Sequence, residues 1–167
     1  MGKASVWSNN DGLAVGFGTR TETSHCAYKL DDEGELSTIY LRFKGEDLGD
    51  AVAATDDAIV YGPVIPNGST IVDATLEVIE AFDSAGDAGV LDIGLYTPAG
   101  SEVDDDGIDA AVAQTAIDAI GDTIACDGAD VATVVATTGG VKVAASYDTA
   151  AFTAGEAVLK VRFTTTT

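Results

Sequence analysis

The sequence predicts an all-β protein, an antiparallel β-sandwich or jelly-roll-like domain with at most one short helix and an extended N-terminal arm. Seven or eight short apolar runs follow one another at intervals of about 8–12 residues, with turn-forming residues between them. The 19 glycines, with abundant Ala, Thr and Asp, are typical of short strands and tight turns. The chain has no strand–helix–strand rhythm and no repeat of about 20–50 residues.

A chain of 167 residues suits one domain, or one domain with an arm. We expect residues 1–30 to form an extended arm or edge strand and residues 31–167 to form the sandwich domain. In the first segment Leu13, Val15 and Phe17 alternate with alanine and glycine, which predicts a strand with one bulky and one nearly bare face. A bare face lets another backbone approach closely. This strand therefore either begins the domain or adds to a neighbour's sheet.

The centre of the predicted sandwich is Ile59–Phe82, in which two apolar runs are joined by a turn. Pro63, Pro66, Asn67 and Gly68 supply the turn, because proline fixes φ and removes a hydrogen-bond donor and Asn-Gly readily takes positive φ. The second run alternates, which predicts a strand with one buried face. The residues of that face are Ala74, Leu76 and Val78.

The remaining strands are predicted from runs of β-branched and aromatic residues bounded by turn signals. Val131–Thr137 and Val141–Tyr147 flank a Thr-Gly-Gly turn and are expected to pair as a hairpin. The other predicted strands are Leu36–Phe43, Val90–Tyr96, the short Asp122–Asp127 and Ala157–Phe163.

Ile108–Ile120 is the candidate helix. Its apolar residues fit a period of about 3.6, Asp106 is placed to cap its start and Gly121 to end it. A short extended segment with a turn is the alternative for the same residues. The preceding run Asp104–Asp109 resembles part of a calcium loop, but it lacks the ligand spacing and the terminal Glu of an EF-hand. We therefore expect a solvated loop and no metal site.

The net charge of −20 is unevenly distributed along the chain. Residues 45–141 hold 20 acidic residues and no Lys or Arg, whereas residues 1–44 hold five bases against six acids. Such a middle segment repels DNA, RNA and anionic membranes, so we expect neither a nucleic-acid nor a membrane partner. The acidic segment is interpreted as a solvated face; a divalent-cation site is the alternative.

Signatures of catalysis are missing. The chain has one histidine, His25, and it has neither a GxSxG nucleophile elbow nor a GxxxxGK[ST] phosphate loop. Paired carboxylates are abundant, but the aromatic residues that line a glycosidase cleft are thinly spread. Cys26 and Cys126 are 100 residues apart, and the sequence leaves open whether they pair. We expect no enzymatic activity and no cofactor.

A longer pattern resembles virion structural proteins of tailed bacteriophages. It is carried by IPNGSTIVDATLEVIEAFDSAGDAGVLDIGL and by the later pieces IDAAVAQTAIDAIGDTIACDGADV and FTAGEAVLKVRF, and it covers about residues 59–163. The resemblance implies a β-sandwich or jelly-roll domain on the capsid exterior or in the head–tail apparatus. Many such proteins are decoration, or cement, proteins that bridge neighbouring capsomers and are often trimeric.

The resemblance thus implies a non-enzymatic protein that is made in the host cytoplasm, binds the major capsid protein on the outside of the shell and forms a homo-oligomer. The alternatives are a head-fibre, tail or other minor virion component, or a surface carbohydrate-binding sandwich. The N-terminal stretch NDGLAVGFGTRT also resembles arms of phage head proteins. Because this region is nearly neutral and carries apolar anchors, we expect it to bind the capsid. The expected capsid-binding residues are Val6, Trp7, Leu13, Val15, Phe17 and Arg20.

Overall fold

The computed structural model describes the backbone of residues 5–8, 14–17, 27–33, 36–50 and 60–165, and the side chains of residues 36–50 and 62–165. These residues form eleven strands and three short 3-10 turns at Gly45–Asp47, Ala85–Asp87 and Gln114–Ala116. No helix in these ranges is long and apolar enough to cross a membrane. The strands are β1 Ser5–Ser8, β2 Ala14–Phe17, β3 Ala27–Glu33, β4 Leu36–Lys44, β5 Val60–Ile65, β6 Thr70–Ser84, β7 Val90–Tyr96, β8 Glu102–Ala113, β9 Thr123–Cys126, β10 Val141–Asp148 and β11 Phe152–Thr164.

The all-β sandwich is confirmed. One sheet has five strands in the order β3-β4-β11-β6-β9, and the other has four in the order β5-β10-β7-β8. The paired strands within both sheets are antiparallel. Buried residues of both sheets form one hydrophobic core. The two sheets therefore cover each other's apolar faces, as in a β-sandwich.

The core of the five-stranded sheet follows from strict alternation. Leu159 on β11 lies opposite Leu41 on β4 and Leu76 on β6, and all three side chains are fully buried. Burial of each leucine side chain contributes about 2 kcal/mol of hydrophobic stabilisation, which is offset in part by the conformational entropy lost on folding. The predicted strands Leu36–Phe43, Val90–Tyr96 and Ala157–Phe163 are confirmed within β4, β7 and β11.

The predicted central unit is confirmed as two strands joined by a turn, and the turn also changes sheets. β5 belongs to the four-stranded sheet, and β6 belongs to the five-stranded sheet. The prediction that Pro63 lies in the turn is wrong: it lies within β5, an edge strand, where a residue without an N–H is tolerated. Gly68 has a φ of 85°, which favours glycine, and the Ser69 N–H donates to the Pro66 carbonyl across 3.2 Å. The predicted inward residues Ala74, Leu76 and Val78 are all buried.

The predicted helix Ile108–Ile120 is wrong. Glu102–Ala113 forms strand β8, and Gln114–Ala116 forms a 3-10 turn. The alternative of an extended segment with a turn is therefore the correct one. Asp106 lies within the strand, so it caps no helix, and the run Asp104–Asp109 is part of β8 rather than a loop.

A β-bulge explains why this strand has a helical pattern. Leu91 and Ile93 of β7 pair with Val112 and Asp109 of β8, so β8 contains one residue more than β7 over this stretch. The extra residue shifts the alternation of inward and outward positions. As a result Asp109 and Val112, three residues apart, both face inward and are buried, and Ile108, four residues before Val112, is buried as well. Four residues is also the spacing of one helix face.

The predicted hairpin of Val131–Thr137 with Val141–Tyr147 is also wrong. β10 lies between β5 and β7, and residues 131–137 are not a strand. Ala132 has a φ of 63°, which breaks the extended run. The segment instead lies along the start of β6, where the Val135 N–H donates to the Ser69 carbonyl across 2.8 Å. The short predicted strand Asp122–Asp127 is confirmed as β9.

Candidate interaction surfaces

The predicted arm contains a small hairpin. β1 and β2 form a two-stranded antiparallel sheet in which Trp7 lies opposite Val15, Val6 opposite Gly16 and Ser5 opposite Phe17. In the described part of the chain, neither strand pairs with a strand of the two larger sheets. The backbone thus brings four of the six predicted capsid-binding residues into one hairpin. Leu13 and Arg20 lie outside the described residues, and capsid binding by the six residues stays a prediction.

A second surface is the outward side of β4, of β11 from Glu156 to Arg162, and of β6 from Asp73 to Glu80, which we call the balanced face. It carries four bases and four acids, and the other outward residues are Thr, Val, Ile and Tyr. Its residues are Thr38, Tyr40, Arg42 and Lys44 on β4, Glu156, Val158, Lys160 and Arg162 on β11, and Asp73, Thr75, Glu77, Ile79 and Glu80 on β6.

Strand register places opposite charges together on the balanced face. Arg162 lies directly opposite Asp73, and its guanidinium donates two hydrogen bonds to that carboxylate, one of them from Nε to Oδ1 across 2.7 Å. Arg42 and Glu156 are diagonal neighbours, with Nε donating to Oε1 across 2.5 Å. The hydrogen bond from Arg42 and its positive charge lower the pKa of the Glu156 carboxyl. Cross-strand pairs of this kind stabilise a sheet modestly.

The remaining cation at the centre of the balanced face has an aromatic neighbour. The Lys160 ammonium lies 5.9 Å from the centroid of the Tyr40 ring, within the range of a cation–π contact. Lys160 and Tyr40 are directly opposite each other on β11 and β4. The middle of the balanced face is therefore an aromatic ring bordered by charge pairs.

A third surface has the opposite electrostatic character. We call it the acidic corner and define it as Asp92 on β7, Asp104, Asp105, Asp106 and Asp109 on β8, and Asp130 after β9. One carboxylate oxygen from each of Asp104, Asp105 and Asp106 lies within 4.8 Å of the others. Three carboxylates at this separation match the oxygen ligands of hard cations such as Ca²⁺. Exposed acidic groups are also common without an ion, so this cluster alone assigns no metal site.

Two glycines allow the backbone to form the acidic corner. The ladder pairs Ile93 with Asp109 and Leu95 with Asp104, so four residues of β8 lie opposite the single Gly94. A Cβ on Gly94 would overlap the backbone of Asp105, and one on Gly107 would overlap the Asp130 carboxylate. At Gly94 only glycine permits such close approach, because the overlap is with backbone, whereas at Gly107 it is with the end of a side chain that can move.

The carboxylates of the acidic corner repel one another. Partial burial raises the pKa of Asp92, and the negative charges of Asp148, Asp105 and Asp106 raise it further. Burial also raises the pKa of Asp104, and a hydrogen bond between its carboxyl and that of Asp106 adds to the effect. The pKa of Asp130 is raised by burial alone. The charged neighbours that raise these pKa values are all carboxylates, so the corner binds protons more readily than isolated Asp side chains do.

At the inner edge of this corner, Asp109 points between the sheets beside Cys126. Both residues are buried, and Asp109 Oδ2 has no hydrogen-bond partner among the residues that the structure describes. Burial and the neighbouring Asp109 charge raise the pKa of the Cys126 thiol to about 12. Cys126 is a free thiol, and Cys26 lies outside the described residues. The thiol of Cys126 is therefore protonated and unreactive at neutral pH.

Sequence reasoning predicted the arm residues but neither of the other surfaces. The acidic run on β8 was visible, but its contact with Asp92 and Asp130 depends on the bulge in β8. The ion pair between Arg162 and Asp73 joins residues 89 positions apart. No local signal in the sequence specifies that pairing.

Comparison with known proteins gives a fold relationship. No protein-family model matches the chain, and no curated protein sequence matches it. A chain in the solved capsid of Ralstonia phage GP4 is similar, with a TM-score of 0.54, 17% identity, and coverage of 82% of this chain and 88% of that chain. A chain in the capsid asymmetric unit of cyanophage Pam1 has a TM-score of 0.49 and 14% identity, over 95% of this chain and 98% of that chain. The likeness to the GP4 chain shows that the two share a fold.

Proposed function

We propose that this protein is a non-enzymatic virion structural protein of a tailed bacteriophage, which binds the outside of an assembled capsid and stabilises it by bridging neighbouring subunits. The observation that carries the proposal is the fold shared with a chain in the capsid of Ralstonia phage GP4, over 82% of this chain. The sequence pattern of residues 59–163 supports the same assignment. Proteins that share a fold can differ in function, so the proposal also depends on the interaction surfaces described above.

The proposed mechanism is mass action. A protein that binds only the assembled lattice lowers the free energy of the lattice relative to its dissociated subunits. Bridging requires each copy to contact more than one subunit, either through an arm and a domain together or through a homo-oligomer, for which the resemblance favours a trimer. Two linked contacts bind far more tightly than either contact alone.

We assign attachment to the arm, with the major capsid protein as the partner. Trp7 and Phe17 are the aromatic residues of the arm, and aromatic side chains dominate the binding energy of many interfaces. Residues 1–44 carry five bases and six acids, so their net charge is small. An acidic partner surface would therefore repel this segment much less than it would repel residues 45–141. Most of the acidic remainder, including the acidic corner, would face solvent on the capsid exterior.

Binding to purified shells tests this function. Shells lacking the protein, prepared from the phage that encodes it, are mixed with the full chain, with a variant lacking residues 1–20, and with the matched variants Trp7→Ala/Phe17→Ala and Ser5→Ala/Ser8→Ala. We expect saturable binding by the full chain and loss of binding on deletion, with the melting temperature of the sandwich retained. The aromatic double variant is expected to bind about tenfold or more weakly, and the serine double variant is expected to bind normally. Unchanged occupancy by the deletion variant would contradict the role of the arm.

A further inference from the structure

We propose that the balanced face is the surface through which the folded domain docks on the shell, with the acidic corner turned towards solvent. The inference rests on the proposed function and adds a second contact to that of the arm. The occupant is a protein surface of mixed charge, namely the outer surface of the assembled lattice.

Acidic and basic residues are unevenly distributed over the surface of the domain, as they are along the sequence. Among residues 36–50 and 60–165 there are 20 acidic and five basic residues. The balanced face carries four of each, which leaves 16 acids and Lys142 on the rest of this part of the chain. A partner of mixed charge that approached those other surfaces would meet a large excess of carboxylates over bases. Like-charge juxtaposition in an interface costs several kcal/mol, whereas a balanced face carries no such penalty.

The two outer faces of the sandwich are not equally accessible. On the four-stranded sheet, the outward residues Ala144 and Ser146 of β10 are each 1% exposed, and the backbone of Asp105 lies directly over Gly94. On the five-stranded sheet, the side chains of Arg42 and Arg162 are 53% and 41% exposed. The balanced face is therefore the broad sheet surface of the described residues that a partner can reach.

The residue types of the balanced face are those of interface centres. Tyrosine and arginine are enriched at hot spots, and Tyr40, Arg42 and Arg162 lie on neighbouring strands. Both arginines are held by a carboxylate, and Lys160 lies over the Tyr40 ring. Side chains already held in place lose less conformational entropy when they are buried by a partner, which favours binding.

The arm leads into the same sheet. β3, Ala27–Glu33, begins within the predicted arm of residues 1–30 and pairs with β4, the strand that carries Tyr40 and Arg42. Lys29 on β3 lies opposite Tyr40 in the ladder. Because β3 joins the arm to the sheet that carries the balanced face, the arm and this face can contact the same partner surface.

Charge substitutions separate this inference from its alternatives. The variant Thr75→Glu/Val158→Glu places two new carboxylates on the balanced face, and the control Thr115→Glu/Thr138→Glu adds the same charge at exposed positions elsewhere. Binding is measured by co-sedimentation with purified shells that lack the protein. We expect the first variant to bind about tenfold or more weakly and the control to stay within about twofold of wild type. Arg42→Gln serves as a milder second variant if the double variant fails to fold, and it should weaken binding in the same direction.

Each outcome supports or overturns the inference. Weakened binding by the face variants alone supports it. If wild type and the face variants bind shells equally, the inference is wrong and the proposed function stands. If wild type binds no shells, the proposed function fails and the inference fails with it. If the face variants change only self-association in analytical ultracentrifugation, the face is a contact between copies of the chain, which also overturns the inference.

Discussion

The balanced face and the acidic corner are built from the same kind of structure, yet their charges interact in opposite ways. On the balanced face, register sets Arg162 opposite Asp73 and holds Arg42 beside Glu156. In the acidic corner, the four residues of β8 that lie opposite Gly94 include Asp105 and Asp106, next to Asp104, and the charged neighbours that raise the pKa of Asp92 are all carboxylates. Strand register, not composition alone, decides whether charged residues attract or repel. A strongly acidic protein can thereby keep one face suited to contact with other proteins.

The largest effect is expected where the acidic corner rests on β7. Gly94→Ala should lower the free energy of unfolding by about 3 kcal/mol, because the new methyl group would overlap the backbone of Asp105. Gly62→Ala on β5 is the matched control, since a Cβ there would lie 3.4 Å from its nearest neighbour, the Val143 carbonyl oxygen. That change should stay within about 1 kcal/mol. Urea unfolding measures both, and equal effects would show that β8 does not rest on Gly94.

The pH dependence of stability should differ in sign between the two regions. In the acidic corner the pKa values of Asp92, Asp104 and Asp130 are raised on folding, so the folded state binds protons more readily than the unfolded state. This contribution stabilises the fold as the pH falls from 7 towards the ordinary Asp pKa of about 4. The pKa of Glu156 is lowered, so its contribution is present at neutral pH and is lost as the pH falls through its folded pKa.

Asp104→Asn isolates the contribution of the acidic corner. The substitution removes one of the mutually repelling charges, so it should raise the melting temperature at pH 7 and flatten the rise in stability between about pH 7 and 5. Glu102→Gln is a matched control on the same strand, at an exposed position. Thermal melts at several pH values provide the test. A drop in melting temperature at pH 7 on removal of the Asp104 charge would contradict the repulsive account.

A smaller effect is expected on the balanced face. Arg162→Met should lower the free energy of unfolding only slightly, because the pair with Asp73 is partly exposed and is screened by water. A double-mutant cycle with Asp73→Asn isolates the pair, and its coupling should shrink at high salt. A coupling that is absent at low salt would show that the pair does not stabilise the face.

Sequence reasoning worked where alternation and burial coincide. Along Leu36–Phe43 every second residue is inward, and the structure buries Ile39, Leu41 and Phe43. It failed where the backbone departs from regular pairing. The bulge in β8 produced a helical spacing, and the positive φ of Ala132 ended an apparently good strand.

The candidate surfaces were less accessible to sequence reasoning than the fold. The arm residues could be singled out because Trp7, Val15 and Phe17 are local anchors in a glycine-rich stretch. The balanced face could not, because it depends on the register of β4 and β6 against β11. The composition indicates that the protein is acidic overall. Only the fold shows which acidic residues lie beside a basic residue.

The copy number of this chain in purified virions tests the central claim most directly. Quantitative mass spectrometry of virions from the phage that encodes it gives the ratio of this chain to the major capsid protein. A protein that bridges subunits across a symmetric shell should be present in a fixed ratio, on the order of hundreds of copies per particle. Absence from the virion, or a few copies confined to the tail or one vertex, would contradict the proposed role.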